Sequence, residues 1–281
     1  MRRYFSIIYS IVFDAIEHFM DEDGWAMASH ISLSALLSVF PFIVFGANLA
    51  QFLGANQFIP TFMEIMFGTW PEVIIKPITD EILQVLAGPG TGLFTISALA
   101  AVYFSSNGIE ALRVSLNRAY RVVDIRAWYV TRLISLGYVF LAAIALIIMS
   151  FIFMAIPLAL ESINRIFPYF GNLLGIIWNG RIYGAIFILF AGLIFVHLFL
   201  PAGTRRIVSI LPGIMFTWVN WLIGATLFTH YIVAFSTYST MYAGLASITI
   251  FLVFLYMLGV LFILGAEINA SIMIHYRQKK I

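Results

Sequence analysis

The chain has 281 residues, 62% of them hydrophobic and only 10% charged, with a mean hydropathy of +1.01. An ordinary soluble domain carries roughly 25% charged residues, so the bilayer is the relevant solvent. A net charge of +2 leaves no electrostatic footprint for nucleic acid, and the lack of cysteine excludes a disulfide framework or a thiolate metal site.

The first 27 residues do not read as a signal peptide. They carry Asp14, Glu17, Asp21, Glu22 and Asp23 and lack a short apolar run with a small-residue cleavage site. Ile7, Ile8, Ile11, Val12, Ala15, Ile16 and Phe19 recur at helical spacing opposite Asp14, Glu17 and His18, which predicts an amphipathic helix along the cytoplasmic interface.

A charged side chain at the bilayer centre costs about 2.5–3.5 kcal/mol on insertion scales, so charge-free stretches mark the spans. Such stretches cover 24–63, 82–109, 133–160, 182–204 and 207–266, each long enough for a helix of about 20 residues. The turn-like STYSTMYAG at 236–244 divides the last one. Six spans result, at approximately 28–53, 90–109, 133–159, 182–200, 209–235 and 245–272, in a single transmembrane domain over 1–281. The second has a dense apolar core of only twelve residues, 93–104, before SSNG at 105–108, which leaves two readings, a complete span or a helix interrupted or ending inside the membrane.

The loop between the first two spans predicts two short outer helices, at 58–67 and 71–86. Twelve Lys and Arg fall on one side of this topology and three on the other, so both termini are expected in the cytoplasm. Trp128, Tyr129, Trp178 and Tyr183 lie near helix ends, where an aromatic belt would place them. The fold expected is an all-α integral membrane protein of about six transmembrane helices, with an amphipathic N-terminal interfacial helix, short helices in the first outer loop, and a cytoplasmic amphipathic helix after the second span.

Polar residues inside such a protein are few. Glu267, with Asn269 two residues on, lies near the cytoplasmic end of the last span; a carboxylate there marks a cation or proton site, or a structural partner for Arg205, Arg206 or an arginine of 113–132. His30, His197 and His230 suit interhelical hydrogen bonds, a relay or a ligand contact, and their spacing holds no metal motif. In SSNGIEALRVSLNRAYRV, 105–122, the residues Asn107, Glu110, Asn117 and Arg121 share one helical face. That stretch predicts either a gate and anionic-headgroup contact through Arg113, Arg118, Arg121 and Arg126, or a positive-inside anchor with internal Glu–Arg pairing. Pro41, Pro212 and Gly244 mark places where spans bend, Asn220 and Trp221 add polar surface to the fifth span, and Gly213, Gly224, Gly259 and Gly265 suit close helix packing.

Several strings together resemble the YihY/virulence factor BrkB family of bacterial inner-membrane proteins: AMASHISLSALLSVFPF at 26–42, SSNGIEALRVSLNRAYRV at 105–122, LPG at 211–213, YSTMYAGLASI at 238–248 and LGAEINA at 264–270. The resemblance covers nearly the whole chain and implies a helical inner-membrane protein of about six spans. It supplies no reaction: family members are described as transporters and virulence-associated proteins, and some carry a ribonuclease label. A metal-dependent ribonuclease needs clustered His and Asp, which the five scattered histidines do not provide, so no enzymatic activity, cofactor or metal is expected.

The leading expectation is a transporter or exporter of a small or amphipathic solute, its path lined by polar residues that include His30 and Asn220, with Glu267, Asn269, Asn107 and Glu110 at the cytoplasmic mouth. The alternative is a non-transporting, lipid-interacting scaffold contributing to envelope integrity or virulence, held by its basic face to anionic headgroups. The partners expected are membrane lipids and an unidentified solute, without nucleic acid.

Overall fold

The structure, a computed structural model, describes residues 2–54, 79–80, 92–166, 171–235 and 245–278. Seven long helices account for nearly all of them: α1 (Arg2–Asp21), α2 (Gly24–Phe52), α3 (Gly92–Ala119), α4 (Trp128–Ile166), α5 (Gly171–Phe199), α6 (Ile207–Phe235) and α7 (Leu245–Gln278). No strand occurs among the described residues. The predicted outer-loop helices at 58–67 and 71–86 and the turn at 236–244 fall almost wholly outside them.

Four stretches are long and apolar enough to cross a membrane: Gly24–Phe52, Trp128–Met149, Ile207–Phe228 and Ile248–Tyr276. They coincide with the predicted first, third, fifth and sixth spans. The predicted fourth lies within α5, which carries a shorter apolar run at Ile186–Phe199. The second differs from expectation in where it ends. SSNG does not interrupt the helix, because α3 runs unbroken through it for 28 residues, about 42 Å at the usual helical rise. Ser105 and Ser106 donate their hydroxyls to the carbonyls of Ala101 and Tyr103, both at 2.6 Å, so the polar side chains are satisfied on their own helix. The predicted second span and the amphipathic helix after it are therefore one element.

The usual polarity of a soluble protein is reversed. Leu133, Leu141, Ile144 and Ile148 of α4 stand exposed, whereas Ser105, Ser106, Asn117, Thr217, Glu267 and Asn269 are buried. Apolar side chains facing out and hydrogen-bonded polar ones facing in suit hydrocarbon as the surrounding medium.

The chain divides into two compact units, one made of 1–37, 107–134 and 189–281, the other of 38–106 and 135–188. In the second, Phe45 packs edge-on against Phe140 at 4.8 Å, and the Ser38 hydroxyl donates to the Phe104 carbonyl at 3.5 Å. In the first, α7 is the centre, with α6 and α1 packed against it. A Cβ on Gly213 would fall 1.8 Å from the Gly265 carbonyl oxygen, and one on Gly265 would fall 2.0 Å from Thr217 Oγ1. The α6–α7 approach therefore requires both glycines, as the small-residue reading predicts. Gly259 brings α7 against α2 less tightly, since a Cβ there would lie 3.2 Å from the Ala28 carbonyl oxygen.

Two non-glycine residues described in this unit take left-handed backbone. Asp23, at φ 55°, lets the chain reverse between α1 and α2. Arg121, at φ 56°, closes α3: its N–H donates to the Arg118 carbonyl at 2.8 Å, and the Val122 N–H donates to the Asn117 carbonyl at 2.9 Å. This is the paired hydrogen-bond pattern of a helix C-terminus that ordinarily takes glycine.

Candidate functional site

Three polar clusters lie in the first unit, joined by α3 and α7. The first begins on α1, where Asp14 and His18 are one helical turn apart, and on α7, where Glu267 and Ser271 have the same spacing. The two pairs meet in register. Ser271 donates its hydroxyl to Asp14 Oδ2 at 2.6 Å, and His18 Nδ1 lies 3.0 Å from Glu267 Oε1. Arg121 Nη2 donates to Asp14 Oδ2 at 2.8 Å. Burial, and then the Arg121 charge, hold the His18 imidazole below its ordinary value, so its contact with Glu267 is a hydrogen bond of a neutral ring and not a full ion pair. Asp14 is held low as well: burial opposes this, but the bonds from Ser271 and Arg121 outweigh it. Glu267 is 0% exposed, and its Oε2 has no hydrogen-bond partner among the described residues.

The second cluster is centred on Tyr120, just past the end of α3. Asn269 Nδ2 donates to its hydroxyl at 3.3 Å, and that hydroxyl lies 2.7 Å from His197 Nδ1. The Asn269 amide oxygen accepts the Gly213 N–H at 2.7 Å, so the LPG and LGAEINA strings meet at one side chain. Arg205 stacks on the other side of Tyr120, its Cζ 4.1 Å from the ring centroid. Burial raises the Tyr120 hydroxyl far above its ordinary pKa, against the lowering effects of Asn269 and Arg205, so it stays protonated.

The third cluster is organised by Asp124. Arg126 donates to both its oxygens at 2.7 Å, Asn117 Nδ2 donates at 3.1 Å, and Arg113 bridges it to Glu110. The Arg126 hydrogen bonds hold the carboxyl well below the usual carboxylate range, with Arg113 adding to them and partial burial opposing. Asn117 also accepts the Ala202 N–H at 2.7 Å, and Arg126 donates to the Leu200 carbonyl at 3.2 Å, which ties the 200–206 loop to the end of α3.

The sequence-predicted site residues separate into groups. Glu267 and Asn269 are buried at the heart of the first two clusters, while Glu110 and Asn117 belong to the third. Asn107 is exposed and accepts a bond from Arg132 at 2.9 Å. His30 is exposed on α2, and Asn220 donates at 2.8 Å to the Phe216 carbonyl of its own helix. Asn107, Glu110, Asn117 and Arg121 do not form one helical face, because α3 ends before Arg121. Of the candidate headgroup contacts, Arg113, Arg121 and Arg126 hold carboxylates and Arg118 is exposed. Among the described residues the hydrogen-bond partner of Glu267 is His18, while Arg121, one of the arginines of 113–132, acts on it through its charge and bonds Asp14. Asp14, His18, Tyr120 and Asp124 were missed as site residues, and the matched one-turn spacings of Asp14/His18 and Glu267/Ser271 were the signal available for the first two.

A chain that is helical through its described residues, with four membrane-length apolar helices, is a multi-pass membrane protein. It belongs to the virulence factor BrkB family, whose profile matches residues 15–280. Among its relatives is a Bacillus subtilis (strain 168) protein named as ribonuclease-like, YfkH, 28% identical over 264 residues that cover 92% of each chain. A UPF0761 membrane protein of Tolumonas auensis is 35% identical over 81 residues, 25% of this chain and 27% of that one. Another, of Legionella pneumophila (strain Corby), is 22% identical over 273 residues, so that 94% of this chain spans 62% of the relative. No solved structure matches.

Proposed function

We propose that this protein is a non-enzymatic transporter of a small or amphipathic solute in the bacterial inner membrane, with six spans, both termini cytoplasmic and α1 lying along the inner interface. The observation that carries this reading is Glu267, a fully buried carboxylate on a membrane-length helix whose described partner is a neutral imidazole. An acid buried in such a place, with no guanidinium hydrogen-bonded to it among the described residues, usually serves a path for ions, protons or solutes. His18 and Asp14 on α1 close over it from the cytoplasmic side, so that movement of α1 would open or shut the mouth.

The test is solute flux in proteoliposomes, with small organic anions, osmolytes and lipid precursors as the panel. Glu267→Gln, which preserves shape, is expected to abolish flux of the transported solute while leaving the amount of folded protein unchanged. Undiminished flux in Glu267→Gln and Asn269→Ala would refute the site. Failure of the wild type to move any solute would favour the scaffold.

A further inference from the structure

The 200–206 loop borders a cleft of about 340 Å³, whose lining includes Asp124, Arg126, Phe199, Gly203, Thr204 and Arg205. Its charges do not balance. Glu110 and Asp124 hold Arg113 and Arg126, while Arg205 lines the same cleft with no carboxylate bonded to it among the described residues. Asp124 is shared by Arg113 and Arg126, and Glu110 holds Arg113, so both carboxylates are already engaged. Arg205 is the third cation. Its described contacts are the Tyr120 ring and the Ala202 carbonyl, which accepts from Nη2 at 2.9 Å, and its Nη1 is buried without a hydrogen-bond partner among the described residues. A guanidinium fixed by stacking and a backbone bond keeps its remaining N–H groups pre-set for an oxyanion.

The rest of the lining narrows the ligand class. Thr204, at an exposed position on the rim, offers a hydroxyl, while Leu198, Phe199 and Ile125 make an apolar wall. A charged seat beside an apolar wall fits a phosphate that carries an organic group, and the volume falls within the range of small-ligand sites. We propose that the cleft between the Asp124 segment and the 200–206 loop is a phosphate-ester site, with Arg205 as its principal cation and Arg126 at its edge. The phosphate belongs either to an anionic lipid headgroup or to a soluble phosphate ester. This assignment does not depend on the role given to Glu267, since a transporter and a scaffold can both use such a seat.

The experiment uses the full chain, in detergent for soluble probes and in lipid nanodiscs for lipids. Glycerol 3-phosphate and inorganic phosphate are titrated against the detergent-solubilised protein, followed by thermal shift and by phosphorus NMR line broadening. Phosphatidylglycerol is compared with phosphatidylcholine in nanodiscs by the same melting readout. Binding is expected to weaken by about tenfold or more in Arg205→Gln, with Arg205→Lys, which keeps the charge but loses the planar stacked fork, falling between that variant and the wild type. Thr204→Glu brings a carboxylate to the rim without removing any contact of Tyr120, so it should weaken binding while the ligand-free melting temperature stays unchanged. Saturation by the soluble esters identifies a free ligand, and stabilisation by phosphatidylglycerol alone identifies a lipid; either result upholds the site. No response to any phosphate probe, or equal binding in wild type, Arg205→Gln and Thr204→Glu, overturns it.

Discussion

Arg121 serves two purposes that conflict. Its backbone takes the left-handed conformation that ends α3, which glycine adopts without steric penalty, while its side chain reaches across to Asp14. Arg121→Ala keeps the backbone strain and loses the ion pair, whereas Arg121→Gly loses the pair and releases the strain. Because the pair is partly exposed, it is worth at most about 1 kcal/mol, and the backbone relief is similar. Thermal melting in detergent should therefore rank the wild type above Arg121→Ala by about 1 kcal/mol, with Arg121→Gly close to the wild type.

Asp124 gives a prediction with a definite sign. Its folded-state pKa lies below the ordinary carboxylate value of 3.8, so its contribution to stability is complete above that value and is lost as the pH falls further. The wild-type melting temperature should decline as the pH falls below about 4, and Asp124→Asn should be less sensitive over that acid range. At neutral pH the same substitution leaves two guanidiniums without their shared carboxylate, a loss on the order of 3 kcal/mol. A pH profile identical in the two proteins would refute the linkage. Local spacing in the sequence does not single out Asp124, since Arg113, Asn117 and Arg126 come together around it through the chain reversal after Tyr120.

At the scale of the elements, the α6–α7 contact separates glycines that are required from glycines that are tolerated. A Cβ at Gly265 meets the Gly213 carbonyl at 2.6 Å as well as Thr217, and backbone cannot move aside locally. Gly265→Ala should lower stability by about 1–3 kcal/mol or abolish monodisperse protein altogether. At Gly224 the close neighbour is the Met257 methyl group at 2.7 Å, the end of a flexible side chain, so Gly224→Ala should stay within about 1 kcal/mol of the wild type. Size-exclusion profiles and melting curves of the two variants decide the matter, and equal damage from both would refute the distinction. Helix existence was readable because charge-free length depends only on composition. The continuity of α3 was not, because SSNG is a breaker on propensity, and only the local serine hydrogen bonds show how the helix accommodates it.

For the whole molecule, the lack of cysteine makes orientation directly testable, because any introduced thiol is unique. Val123, 85% exposed, lies on the side assigned to the cytoplasm, and Lys76 on the opposite side. Val123→Cys should react with a membrane-impermeant maleimide only after the cells are permeabilised, and Lys76→Cys should react in intact cells. The reverse pattern would invert the proposed topology. Residue spacing identified Glu267 and Asn269 as unusual, but the three-cluster arrangement depends on contacts between positions far apart in sequence, such as His18 with Glu267 and Tyr120 with His197, which no local pattern encodes.

The seating of α1 bears on how the protein is handled in the laboratory. Asp14 and His18 face α7, while Ile8, Val12 and Ile16 face outward, so this helix is held by polar contacts on one side and by the surrounding amphiphile on the other. A purification tag, reporter or tether fused at the amino end would pull on a part of the molecule that caps a buried acid. Short-chain detergents, which grip an apolar helical surface weakly, would loosen it before the rest of the fold. Reporter fusions are accordingly better placed at the carboxyl end, and a preparation with normal secondary structure can still be one in which Glu267 has been uncovered.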